Sequence, residues 1–188
     1  MVLSSSGVRV IRSGAGIKAS FEGLFYLILN LNFLLSGGED ISFDGGKKVK
    51  GRKRTILVDT MGMVLAVFVH GAGRSDHAVM KLLATFSAQF WTFLKVIWID
   101  STFAGKDFIA QIERDFGWKL EHLKRTDDQP GFTVIPKRWV VERTYSWFGH
   151  YRRLSKDYEF LPTTSEVMIF AAMVHLMVRR LKPKHQAG

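Results

Sequence analysis

The sequence predicts an α/β fold, a mixed β-sheet flanked by helices. Short runs of β-branched and aromatic residues alternate along the chain with longer segments whose apolar residues recur at helical spacing. One of those runs, Lys95-Val-Ile-Trp-Ile99, is apolar without a break after its lysine, as a central strand covered on both faces should be. The chain has 188 residues, 47% of them hydrophobic, enough to cover such a sheet with helices in one domain.

The elements follow in order. Residues 1–20 are rich in Ser and Gly and show no clear period, so they predict an arm without regular structure. Residues 24–35 form an apolar run that reads as a strand buried on both faces. Arg9, Arg12 and Lys18 ahead of it, and Ser36-Gly37-Gly38 behind it, loosely imitate a signal peptide. The run is too short to span a bilayer comfortably, and Asn30 and Asn32 interrupt it, so no membrane association is expected. Residues 36–46 read as a Gly- and Asp-rich loop.

Lys47 to Arg54 is a basic run broken only by Val49 and Gly51. Thr55-Ile-Leu-Val-Asp59 and Met63 to Val69 read as strands joined at Thr60-Met-Gly62, a hairpin. Ser75 suits the cap of a helix in which Val79, Leu82, Leu83 and Phe86 share a face. After the strand that ends at Asp100, a helix is predicted from about Thr102, with Phe108, Ile109, Ile112 and Phe116 on one side. A strand over 118–123, a polar loop over 126–130 and a helix from about Lys137 come next. Pro162 announces the last helix, where Thr163 and Glu166 have the spacing of a capping box. From Val167 to Val178 this helix is apolar almost all round, which predicts burial. Arg179, Arg180 and Lys182 close it, where cations suit the helix dipole. No internal repeat is present. The expected division is an arm over 1–36, one domain over 37–183 and a tail over 184–188.

Composition narrows the chemistry. A formal net charge of +10 favours polyanion partners, nucleic acid first and anionic membranes second. The absence of cysteine excludes disulfides, thiolate zinc sites and thiol catalysis. The six histidines have no helical metal-site spacing; His70 and His77 read as structural, and His175 as a satisfied core histidine. Neither a phosphate-binding glycine loop nor a Gly-x-Ser-x-Gly elbow occurs.

Asp100 stands just past the C-terminal end of a buried strand, where open α/β sheets place their ligand sites. The same position suits a helix cap. On a helical wheel over 138–148, Val140, Val141, Thr144, Tyr145, Trp147 and Phe148 form one face. Arg138, Glu142, Arg143 and Ser146 fall on the other, with Trp139 among them. Glu142 therefore points outward, one turn from Arg138. It reads either as half of an i, i+4 ion pair or as a carboxylate in a field of cations, suited to holding a divalent metal against a phosphodiester. The cations gather in three groups: Lys47, Lys48, Lys50, Arg52, Lys53 and Arg54; Arg138 with Arg143; and Arg152, Arg153 and Lys156. Their density favours contact with nucleic-acid phosphates over a merely solvated surface.

At these residues the chain resembles insertion-sequence transposases with a DDE-type, RNase H-like catalytic domain, and most closely the group usually numbered five. The resembling segments run from Phe43 to Thr60, Val96 to Asp100, Pro136 to Thr144 and Tyr151 to Glu159, within a match from about Gly37 to Pro183. The resemblance implies an RNase H-like mixed sheet and a chemistry in which Mg²⁺ or Mn²⁺ activates water to cut double-stranded DNA at element ends. The freed 3′-hydroxyl then attacks target DNA. It makes Asp100 and Glu142 the second and third catalytic carboxylates and metal ligands, and Arg138 the arginine that precedes the glutamate. It further implies a bacterial, cytoplasmic protein that forms a homo-oligomer on DNA. The family's first catalytic aspartate belongs on the first strand, but residues 24–35 hold no acid, and Asn30 or Asn32 stands at the expected place. Asp40 and Asp44 lie in the following loop, and Asp59 reads as serving its turn. The helical DNA-binding region expected upstream is also absent from these residues. The chain therefore reads as the C-terminal part of a transposase with impaired cleavage, its other half supplied by an upstream frame, or else as a non-catalytic DNA-binding remnant.

Overall fold

The computed structural model describes residues 9–13, 16–20, 26–34, 38–46, 48–92, 94–100, 103, 105–123 and 138–181, with the segments before residue 38 described by backbone path alone. The predicted mixed sheet with helices on it is present. Strands β1 (Arg9–Ser13) and β2 (Gly16–Ser20) pair antiparallel as a separate two-stranded ribbon. That corrects the expectation of an arm without regular structure. Val10, Ile11 and Ile17 have the high β-propensity that suits them to strands.

The main sheet contains β3 (Tyr26–Leu34), β4 (Ser42–Asp44), β5 (Val49–Val58), β6 (Val64–Gly71), β7 (Val96–Ile99) and β8 (Lys119–His122). Its order is β4-β5-β3-β7-β8, with β6 pairing β5. β3 runs antiparallel to β5 and parallel to β7, and β7 runs parallel to β8. The hairpin at residues 59–63 forms as expected. Asp59 Oδ1 accepts the backbone N–H groups of Met61 and Met63, both at 2.8 Å, which is the turn role its sequence position predicts. The basic run does not precede β5 but forms its first half, because cations that find partners inside a sheet do not end a strand.

Helices α1 (Asp76–Phe90) and α2 (Lys106–Phe116) cover one face of the sheet. They enclose Leu57, Ala66, Met80, Leu83, Ile97, Ile99 and Ile112. Helices α3 (Arg138–Gly149) and α4 (Pro162–Leu181) cover the other face. Here Ile56, Val58, Val67, Trp98, Val141, Phe148 and Ile169 pack together. The period-two alternation of a strand is visible in β5, where Ile56 and Val58 enter one layer and Leu57 the other.

Four local expectations are corrected. Helix α2 starts at Lys106 rather than near Thr102. Ser75 occupies the N-cap of α1 without a side-chain capping bond. The Thr163–Glu166 capping box does not close: Pro162 opens α4, and Glu166 Oε1 instead accepts the N–H of Val69 in β6 at 2.9 Å. Finally, α4 is not buried all round. Ser165, Ile169, Ala172 and Met173 face inward, while Val167, Phe170, Val174 and Val178 are exposed. A helix laid on a sheet covers only one flank, and among the described residues nothing lies over the other. His175 falls on the open side, where it bonds Tyr151 Oη at 2.9 Å, and is not a core histidine. His70 is structural as predicted: it is buried, with its ring nitrogens bonded to Thr55 Oγ1 and Gly71 O.

Candidate active site and basic surface

Asp100 follows the last residue of β7, and its side chain is largely covered. Arg138 opens α3 on the same side of the sheet. Its Nη1 lies 3.9 Å from Asp100 Oδ1, and its Nε donates to Glu142 Oε1 at 3.1 Å. One guanidinium thus bridges both carboxylates that the sequence singles out. The two acids can be no further apart than those contacts plus the width of the guanidinium, roughly 9 Å in all. The i, i+4 pair read from the helix pattern forms, and it forms within reach of Asp100.

α3 is held where it is by contacts to the β5–β6 hairpin. Val140, Val141, Thr144 and Phe148 are its buried residues, and Trp139 is exposed, as the wheel predicts. Thr144 Oγ1 donates to Gly62 O at 2.7 Å, and Arg143 Nη2 donates to Met61 O at 2.9 Å. Gly62 has φ +79°, and a Cβ there would stand 2.7 Å from Thr144 Oγ1. The turn therefore needs glycine both for its backbone and for the close approach of α3. Tyr145 Oη donates to Arg54 O at 2.6 Å, and burial drives its phenol pKa upward.

Arg143 lies between two indoles, 4.4 Å from the Trp139 ring centre and 4.9 Å from that of Trp147. Arg180 from α4 reaches Trp147 at 4.5 Å. Desolvation, and then the neighbouring Arg180, lower the pKa of the Arg143 guanidinium. Lys48, Lys50, Arg152, Arg153 and Lys156 are exposed, Arg153 in an ion pair with Glu159 at 2.7 Å. Lys47 lies outside the described residues.

Arg52, Lys53 and Arg54 require a correction, because they are internal and unavailable to phosphate. Arg52 is wholly buried. Its Nη1 meets Asp157 Oδ2 at 3.3 Å and Glu159 O at 3.0 Å, its Nε and Nη2 donate to Glu39 O, and Nη2 also donates to Phe160 O. Arg54 donates to Leu154 O and Lys156 O and lies 4.0 Å from Asp157 Oδ1. Burial lowers its pKa despite the opposing pull of Asp157. Lys53 points the other way, to Asp44 at 3.1 Å and Asp76 at 3.2 Å. Asp157, missed in the sequence, is the hub of this network and also accepts from Ser165 Oγ. The available signal was the spacing of Arg52 and Arg54, two apart in a strand and so on one face.

No described residue supplies the missing first acid. Asn30 and Asn32 of β3 lie in register with Thr55 and Lys53. Asp40 is engaged with Gly71 N and Arg74, and Asp44 with Lys53. Among the described residues there is no group of three acids or histidines arranged for a metal. Two carboxylates, Asp100 and Glu142, fall short of the set that two ions need. Among the described residues no helix is long and apolar enough to cross a membrane.

The fold and sequence can be set beside known proteins. The chain superposes on the catalytic core domain of BIV integrase with a TM-score of 0.50 and 17% identity, covering 87% of this chain and 88% of that one. At that identity the likeness speaks for the fold, which is RNase H-like. Nothing among curated proteins matches the sequence. The family described as Transposase DDE domain matches residues 32–177, a span that holds β5 to β8, Asp100, the whole of α3 and most of α4. With most of its length so matched, the chain belongs to the Transposase DDE domain family.

Proposed function

We propose that the chain is the catalytic domain of an insertion-sequence transposase of the group usually numbered five. It would act on double-stranded DNA at element ends and target, with cleavage impaired by the lack of an acid on β3. The observation that carries this reading is the Asp100–Arg138–Glu142 cluster at the C-terminal end of a parallel strand, in a chain of this family. Asp100 and Glu142 are the groups that would hold Mg²⁺ or Mn²⁺. When bound, such an ion supplies Lewis-acid polarisation of a scissile phosphodiester. Arg138 screens the two carboxylates from each other while the site is without DNA, and its guanidinium is placed to meet an incoming phosphate. Lys48, Lys50, Arg152, Arg153 and Lys156 offer exposed positive charge to the backbone, with Arg143 at the rim beside Trp139. An upstream-frame half, a bacterial cytoplasmic setting and assembly on DNA complete the reading.

The test is nicking of supercoiled DNA with Mg²⁺ and Mn²⁺, beside a binding assay on the same preparation. Slow metal-dependent nicking is expected, lost in Asp100→Ala and Glu142→Gln while binding persists. Binding without any nicking would favour a non-catalytic remnant, which the acid-free sequence of β3 already recommends as the second reading. A wild-type chain that ignores DNA altogether at low salt would sink both.

A further inference from the structure

Helix α3 carries a second ridge, roughly a quarter turn from the Arg138–Glu142 pair. Trp139, Arg143 and Trp147 follow one another along it at i, i+4 spacing. Arg180, from the last turn of α4, reaches the same Trp147 ring. The two guanidinium carbons stand 4.9 Å and 4.5 Å from that ring centre, so they are no further apart than roughly 9.5 Å. Neither cation has an ion-pair partner among the described residues. Asp59 is the acid that both feel, and its Oδ1 is committed to the N–H groups of Met61 and Met63. One carboxylate thus stands against two guanidiniums. Arg143 donates through Nη2 to Met61 O, but its Nε is buried without an acceptor. Trp147 is itself fixed, because its ring lies 3.1 Å from where a Cβ at Gly62 would stand.

We propose that Arg143 and Arg180, spaced by Trp147, form a built site for successive phosphates of one nucleic-acid strand, which makes the last turn of α4 part of the DNA interface. Two like charges held this close repel each other, and an anion between them removes that cost. A guanidinium laid on an aromatic ring uses its face and keeps its N–H edge for a phosphate. The shared ring also limits the freedom that each side chain would lose on binding. Arg143 is half-buried and Arg180 exposed, so both can be reached from solvent. One strand of a duplex carries a charge every ~3.4 Å along the axis, so the pair spans two or three phosphates. Arg143 lies about 7.5 Å along α3 from Arg138 by helical rise. A strand whose reacting phosphate meets Arg138 would therefore have its neighbours within reach of the pair. Anionic lipid also offers phosphate, but fluid headgroups do not present it in a fixed row. The proposal rests on the functional reading above in taking DNA as the polyanion.

Substitutions in the full chain, measured on material shown to be folded, separate a built site from diffuse charge. Arg180→Gln should lower the log–log salt slope for duplex DNA by about one unit, and Arg143→Gln together with Arg180→Gln by about two. Arg180→Lys keeps the charge but loses the planar fork. Trp147→Leu keeps both cations but removes their shared ring. Each of these two should weaken DNA binding by about two- to fivefold at fixed salt. Full affinity in both overturns the proposal, since charge alone would then suffice. A slope unmoved by Arg180→Gln overturns it as well, and leaves the transposase reading intact. Inorganic tripolyphosphate separates the two claims. At matched ionic strength it should raise the thermal midpoint of wild type more than that of Arg180→Gln. A chain that ignores duplex DNA yet keeps this difference would sink the transposase reading and support the site. Arg180-dependent binding to phosphatidylserine vesicles, with the DNA slope unmoved, overturns the assignment to nucleic acid.

Discussion

Removing a guanidinium from water costs several kcal/mol unless its N–H groups find acceptors. Arg52 meets that condition with backbone carbonyls of Glu39, Glu159 and Phe160 and the carboxylate of Asp157. The network ties β5 to the segment that follows α3, and so fixes the C-terminal end of the helix that carries Glu142. Asp157 is its weak point, because Arg52 and Arg54 would both remain buried without it. Asp157→Ala should lower unfolding stability by about 3–5 kcal/mol, and Asp157→Asn by somewhat less. Lys50→Ala, at the exposed start of the same strand, should change it by less than about 0.5 kcal/mol. Urea denaturation of the three variants decides the matter; a loss under 1 kcal/mol for Asp157→Ala would show that the network is spectator charge. The sequence shows that Arg52 and Arg54 are cations and cannot show that they are internal. Burial here depends on an acid that the chain brings back only after three further strands, three helices and their connections.

α4 and β6 meet through a titratable contact. Glu166 accepts the N–H of Val69, which occupies a bonding site on β6, and burial raises its carboxyl pKa against the opposing effect of that bond. A carboxyl raised on folding favours the protonated native state. Its contribution to stability is complete below the unfolded value of about 4.3 and is lost as pH rises through the higher folded value. Glu166→Gln keeps an acceptor for Val69 and removes the buried charge. It should therefore raise stability at pH 7, by at most about 1 kcal/mol given partial solvent screening. The advantage should vanish near pH 4, where wild type is protonated too. Thermal melts at both pH values check this; an equal effect at both would mean that the charge plays no part. Elements of this kind were unevenly legible. The apolar run over 95–99 and the helical spacing of Phe108, Ile109, Ile112 and Phe116 gave β7 and α2 directly. α4 was legible as a helix but not in its exposure, since apolar residues all round read alike whether a partner covers the outer flank or solvent does.

For the whole molecule, the formal charge of +10 overstates what DNA can meet. Arg52, Lys53 and Arg54 are spent inside on Asp157, Asp44 and Asp76. The proposed catalytic pair, Asp100 and Glu142, was legible as residue types at family positions. Its closeness was not, because Asp100 and Glu142 are brought near each other by the parallel register of β7 and the docking of α3 on the β5–β6 turn. The same distinction between charge in the sequence and charge on the surface yields a measurable slope. Affinity for duplex DNA should fall with salt in proportion to the phosphates neutralised, at close to one unit of log–log slope for each contact. Lys48→Ala, Lys50→Ala, Arg152→Ala and Lys156→Ala should each reduce that slope by about one where the residue touches phosphate. Arg153→Ala should reduce it less, because Glu159 already neutralises that guanidinium. Arg54→Met, measured on material shown to be folded, should leave the slope unchanged while lowering stability, since a buried cation releases no counterion from DNA. A slope that dropped with Arg54→Met as far as with Lys50→Ala would mean that β5 turns its cations outward on DNA, and that the closed network seen here is not the DNA-bound state.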